Sequence, residues 1–122
     1  MIGYTTVGTN DLPRAIAYYE DLLAPLGPKT VAEDEGRMRV LGGGHGAMLM
    51  IGKPYDGKPA TVGNGMMVAI AAGSRENVDA IYKKAISLGS ADEGGPGERG
   101  DGFYGAYFRD LDGNKLCLFH IG

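Results

Sequence analysis

What narrows the fold of this chain most is that it carries the same pattern twice. Tyr4-Thr5-Thr6-Val7-Gly8-Thr9-Asn10-Asp11 leads into a helical pattern that ends at Leu26-Gly27. Met67-Val68-Ala69-Ile70-Ala71-Ala72-Gly73-Ser74 leads into another that ends at Leu88-Gly89. The two starts, Tyr4 and Met67, are 63 positions apart, and the two helix-ending glycines are 62 apart. Self-similarity at a fixed offset is the mark of one structural unit used repeatedly. It predicts two similar half-domains that face each other, with a site between them.

Each copy reads as β-α-β-β-β. In the first, β-branched Thr5, Thr6, Val7 and Thr9 predict a strand over residues 4–9. Asn10 or Asp11 offers an N-cap, and Pro13 falls in the first helical turn, where its missing N–H costs nothing. Ile16, Tyr19, Leu22, Leu23 and Leu26 recur at helical spacing until Gly27-Pro28 stops the helix. Three short strands follow, near 29–34, 37–42 and 46–51, with turns at Glu35-Gly36 and Gly43-Gly44. The Pro- and Gly-containing stretch around 54–64 is the linker, which makes the half-domains about 1–53 and 65–122. The second copy has a strand over 66–72 and a helix capped by Ser74 with Val78, Ile81, Ala85 and Leu88 on its apolar side. A short strand near 90–93, a long Gly-rich loop over 94–102, and a hairpin of 103–109 and 115–120 complete it. The hairpin turns at Asp110-Leu111-Asp112-Gly113-Asn114, with Gly113 placed for a positive φ. The fold class is α+β, with helices on one side of a mixed sheet.

Bulk composition removes several function classes. At 122 residues the chain is one domain, able to bury roughly two-thirds of its unfolded surface. Hydrophobic residues make up 43%, too many for a disordered chain. A net charge of −3 without a Lys/Arg cluster argues against a nucleic-acid partner. A lone cysteine excludes an intrachain disulfide and fits a reducing compartment. There is no signal-peptide pattern and no run long enough to span a membrane, so the expectation is a soluble cytoplasmic protein with no membrane partner.

Asn10-Asp11-Leu12 at the first helix, Tyr18-Tyr19 within it, and Arg109-Asp110-Leu111-Asp112-Gly113-Asn114-Lys115 before the last apolar strand complete the tandem pattern. Together these resemble the vicinal oxygen chelate superfamily, which includes glyoxalase I, bleomycin-resistance proteins, fosfomycin-resistance enzymes and extradiol dioxygenases. The resemblance covers essentially the whole chain. It implies two tandem half-domains forming an open, cup-shaped sheet with helices on the outer face and a small-molecule ligand in the cup. It also implies a homodimer. Metal-dependent members hold a divalent ion with His and Glu from the first and last strands of the halves, and the ion stabilises an enediolate or activates dioxygen.

Carried over position by position, that ligand set falls on other residue types. Tyr4 and Met67 stand at the first-strand positions, Cys117 at a last-strand position, and Met48 or Met50 at the fourth. Strand alternation puts Lys115, Cys117 and Phe119 on one face and Leu116, Leu118 and His120 on the other. Hard and borderline ions prefer carboxylate or imidazole. Two thioethers and a thiol would suit Cu(I), but Met is a flexible gap-filler and a buried Cys a small hydrophobe. The expectation is therefore a largely apolar cavity without metal or cofactor, lined by Tyr4, Met48, Met50, Met67, Tyr104, Cys117 and Phe119. Tyr104 and Tyr107 are three apart and face opposite sides, so one of them points inward. His45 sits in a glycine-rich turn and His120 on the face away from Cys117. Arg99, in the segment read as a loop and possible lid, is placed to meet an anionic ligand or simply solvent. Arg109, Asp110 and Asp112 read as fixing the hairpin.

Catalytic residues are not identifiable from this pattern. A module that binds a small, partly apolar molecule is the first reading. The alternatives are a metal-dependent lyase, isomerase or dioxygenase with an atypical site, drawing on the His45 loop, Glu33 or Glu35, and a metal-free enzyme using Tyr4 or Cys117 as acid or base. A purely partner-binding role has no specific residue in its favour.

Overall fold

The computed structural model of the chain describes residues 1–44 and 46–122. They divide into two compact units, Met1–Val62 and Gly63–Gly122. The first contains strand β1 (Tyr4–Gly8), helix α1 (Leu12–Leu22) and strands β2 (Lys29–Asp34), β3 (Met38–Gly42) and β4 (Met48–Gly52). The second contains β5 (Val68–Ala71), α2 (Arg75–Ser87), β6 (Asp92–Glu98), β7 (Phe103–Arg109) and β8 (Lys115–Ile121). The sheets run in the orders β1-β4-β3-β2 and β5-β8-β7-β6, the same permutation of the same chain order. In each, the first strand pairs parallel to the last and the other neighbours are antiparallel. The repeat read in the sequence is thus a repeat of topology. Among the described residues no helix is long and apolar enough to cross a membrane.

In the first unit Asp11 caps α1, its carboxylate accepting from the Arg14 amide at 3.1 Å, with Pro13 in the first turn. The helix buries Ala15, Tyr18, Tyr19 and Leu22. It packs on the sheet side that carries Val7, Leu41, Leu49 and Ile51. The α-helix stops at Leu22, earlier than the apolar spacing predicts, and a 3-10 turn covers Ala24–Leu26. Pro25 explains the difference, because its ring clashes with the carbonyl four residues back and removes a hydrogen-bond donor. Gly27 then reverses the chain at a φ of 65°. Arg39 ties three elements of this side together. Its Nε donates to Glu33 Oε2 at 2.8 Å and its Nη1 to Glu20 Oε2 at 3.1 Å.

In the second unit Ser74 caps α2, accepting from the Asn77 amide at 3.0 Å. Val78, Ile81 and Ala85 meet a sheet side built from Ala106, Phe108, Leu116 and Leu118. Each of these seven residues is 0% exposed. The Tyr82 ring meets Phe108 edge-on at 6.3 Å. One expectation is corrected here. Residues 94–102 are not a long loop, since β6 runs through Gly94-Gly95-Pro96-Gly97 to Glu98 and only a tight turn remains before Phe103. A segment this rich in Gly and Pro can be a strand because β6 is an edge. One side of its backbone needs no partner, and its ladder with β7 tolerates two register shifts.

The β7–β8 turn is organised by Asp110. Its Oδ1 accepts from the Asp112 and Asn114 amides at 2.9 Å each, and its Oδ2 accepts from Asn114 Nδ2 at 2.8 Å. Gly113 takes the positive φ of 91° that the turn requires. Asp110→Ala would strand these donors beside a buried position. The expected loss is about 1.5–3 kcal/mol, the range for hydrogen bonds to a charged group, read as a lowered midpoint in urea denaturation.

Candidate functional site

Each sheet has one side covered by its helix, so the other side is where side chains are free for a ligand. In the second unit the contacts settle which side is which. Phe108 meets Tyr82 of α2, and Tyr104 donates its hydroxyl to Asp79 of α2 at 2.6 Å. That hydrogen bond pushes the Tyr104 hydroxyl above its ordinary pKa. His120 lies directly opposite Tyr104 and so belongs to the α2 side as well. Of the two tyrosines left open by their spacing, Tyr107 therefore shares the side of Cys117, and Tyr104 does not line it.

The helix-free side of this sheet carries Phe103, Tyr107, Lys115, Cys117 and Phe119. Phe103 and Phe119 stack with centroids 5.3 Å apart and planes 5° from parallel. Gly105, opposite Phe119, makes that possible, because a Cβ there would lie 2.8 Å from Phe103 Cε1. Tyr107 is directly opposite Cys117. The Arg99 guanidinium lies 5.4 Å and the Lys115 ammonium 5.7 Å from the Tyr107 ring centre. Cys117 is 0% exposed. Burial pushes its thiol pKa up, and the Tyr107 side chain with the Arg99 and Lys115 charges offsets this only in part. Met67, just before β5, is 43% exposed.

In the first unit Tyr4 and Thr6 pair with Met48 and Met50. All four share the side away from α1, since the alternate residue Arg39 reaches Glu20 of the helix. Two-residue spacing puts Met48 and Met50 on the same face, so the choice between them disappears. Val31 joins them: a Cβ at Gly42 would sit 3.0 Å from both Met48 Cγ and Val31 Cγ2. Tyr4 is 58% exposed. Glu33 is turned to Arg39 and the α1 side, and Glu35 is an exposed turn residue. His45 lies outside the described residues. Arg109 donates to Glu93 at 2.6 Å and to the Gly113 carbonyl at 3.2 Å, which holds the hairpin.

Sequence reasoning missed Phe103 and the grouping of Arg99 with Lys115. Phe103 was available from alternation, being four residues from Tyr107 on the same strand. The cation pair depends on β6–β7–β8 pairing and has no local signal.

The donors at the positions of the resemblance's metal ligands do not fit a hard divalent ion. They are a phenol, thioethers, and a thiol whose raised pKa keeps it protonated at neutral pH. Among the described residues no three His, Cys, Asp or Glu side chains come together in a group that could hold a metal.

A helix-backed β-α-β-β-β unit used twice defines the class, and comparison with known proteins gives the family. The profile of the glyoxalase/bleomycin resistance protein/dioxygenase superfamily matches residues 1–118, and the chain belongs to that superfamily. A glyoxalase/bleomycin resistance protein from Albidiferax ferrireducens T118 is similar at 37% identity, with 98% of each chain covered and a TM-score of 0.87. A family enzyme from Burkholderia phytofirmans PsJN shares the fold at 17% identity, with 98% of each chain covered and a TM-score of 0.80. The lactoylglutathione lyase from Agrobacterium tumefaciens shares it at 22% identity, with 98% of this chain and 92% of that one covered and a TM-score of 0.69. No curated protein matches the chain.

Proposed function

We propose that this protein binds a small, partly apolar molecule on the helix-free side of its second sheet, without a metal ion. The observation that carries the reading is the stacked Phe103–Phe119 pair beside Tyr107 and Cys117. At the positions where a metal enzyme of the family would need imidazole or carboxylate stand the phenol of Tyr4, the thioethers of Met48, Met50 and Met67, and the thiol of Cys117. Half-buried aromatic rings on a face that no helix covers offer a planar ligand both area and stacking geometry.

The test is calorimetric melting with N-phenyl-1-naphthylamine, an uncharged planar probe. A ligand that binds only the native state stabilises it by mass action, so tenfold excess over Kd is expected to raise Tm by about 5 °C. In parallel, protein incubated with Ni²⁺, Zn²⁺, Mn²⁺ and anaerobic Fe²⁺ and then dialysed is expected to retain negligible metal by elemental analysis. Near-stoichiometric retention would overturn the reading and direct work to lyase, isomerase and dioxygenase assays.

A further inference from the structure

The chain carries a net charge of −3, yet the helix-free side of its second sheet gathers two cations around one ring. Two carboxylates of β6 are engaged by other cations. Glu93 is taken by Arg109 at 2.6 Å and Glu98 by Arg75 at 2.7 Å. The Arg99 side chain donates to the Gly95 carbonyl, and among the described residues neither Arg99 nor Lys115 has a carboxylate partner. Both cations approach the Tyr107 ring with no carboxylate of their own, and an anion bound at the edge of that ring would supply the missing counter-charge.

A Cβ at Gly94 would sit 3.4 Å from both Arg99 Nη2 and Tyr107 Cδ2, and one at Gly97 would sit 3.6 Å from Arg99 Nη1. Gly95 differs, since its Cβ would point to Tyr82 on the α2 side. The guanidinium thus lies over β6 at Gly94 and Gly97, within ordinary van der Waals range of where their side chains would begin. Tyr107, which both cations approach, stands opposite Cys117, and Phe119 is two residues on along β8. That spacing is about 7 Å, the length of a fused or single aromatic ring with its substituent.

Resting on the reading that this face takes an apolar ligand, we infer that the ligand is an organic anion with a planar body. Its acid group, a carboxylate or sulfonate, sits at the edge of the Tyr107 ring within reach of Arg99 and Lys115, and its ring lies against Phe119 and Phe103. Arg supplies directed donors that match a planar oxyanion, and Lys supplies a point charge.

The test uses two probes with one body: 1-anilinonaphthalene-8-sulfonate and its uncharged counterpart N-phenyl-1-naphthylamine, titrated by fluorescence into the full chain. The sulfonate is expected to bind at least about tenfold tighter than the neutral probe, the factor for charge-assisted contacts at a half-exposed site. The double variant Arg99→Met/Lys115→Met is expected to bring the ratio of the two Kd values to about one, with its thermal unfolding transition reporting that the chain is still folded. Arg99→Lys should restore most of the preference in the presence of Lys115. Phe119→Ala should weaken both probes together. Equal affinity of the two probes, or a preference that survives the double variant, overturns the anion inference and leaves the apolar-ligand reading standing. Failure of both probes to bind, or indifference of both to Phe119→Ala, overturns that reading as well.

Discussion

Phe108→Ala is expected to destabilise the second unit by about 3–5 kcal/mol, the cost of removing a large buried aromatic and leaving a cavity. For a chain of this length the corresponding fall in Tm is roughly 10–20 °C. Phe108 is 0% exposed, stands opposite Leu116, and meets the Tyr82 ring edge-on. Val78 and Ile81 of α2, also fully buried, cannot close the gap without moving the helix. Phe119 lies on the other side of the same sheet and is only half-buried, so Phe119→Ala is expected to cost less than about 2 kcal/mol, mostly its stacking on Phe103. The pair of measurements tests the division of labour between the two faces. Comparable losses from both variants would mean that the helix-free face is core, and its assignment to a ligand would fall.

Much of this division was legible from residue order, and the exceptions have physical causes. The repeat, the two caps at Asp11 and Ser74, and the β7–β8 turn are local, so spacing and turn chemistry suffice for them. Alternation in β8 likewise puts Cys117 with Phe119 and away from Leu118. The β6 segment failed because glycine and proline signal a loop only where both sides of the backbone need partners, and an edge strand needs one. Tyr104 against Tyr107 was undecided because alternation gives relative and not absolute phase. The absolute phase comes from Asp79 and Tyr82 on α2, which no local window contains. Arg99 and Lys115 meet over Tyr107 only once three strands are in register, so their grouping is a property of pairing. The metal question is of another kind. The residue types at the candidate ligand positions were readable from the start, and the fold adds that Tyr4, Met48 and Met50 share one face.

Cys117 is where a packing role and a chemical role separate most sharply. In native protein at pH 7 its reaction with 5,5′-dithiobis(2-nitrobenzoate) is expected to run on the order of 100-fold slower than in urea, because the thiol must be exposed by local opening and then ionised. It is 0% exposed, and burial holds its pKa above the ordinary value despite the partial offset from Tyr107, Arg99 and Lys115. A thiol whose folded pKa lies above the unfolded one binds its proton more tightly when folded. That contribution to stability is fully present below the unfolded value, about pH 8.5, and is lost as pH rises through the folded value. Wild-type Tm should therefore fall across the alkaline range, and Cys117→Ala should fall less over the same range. A nucleophile would behave in the opposite way, with a depressed pKa, an accessible thiolate and rapid modification of the native protein near neutral pH. Fast labelling in the folded state, or a Tm decline identical in Cys117→Ala, would remove the packing role and make the thiol the first residue to test for chemistry.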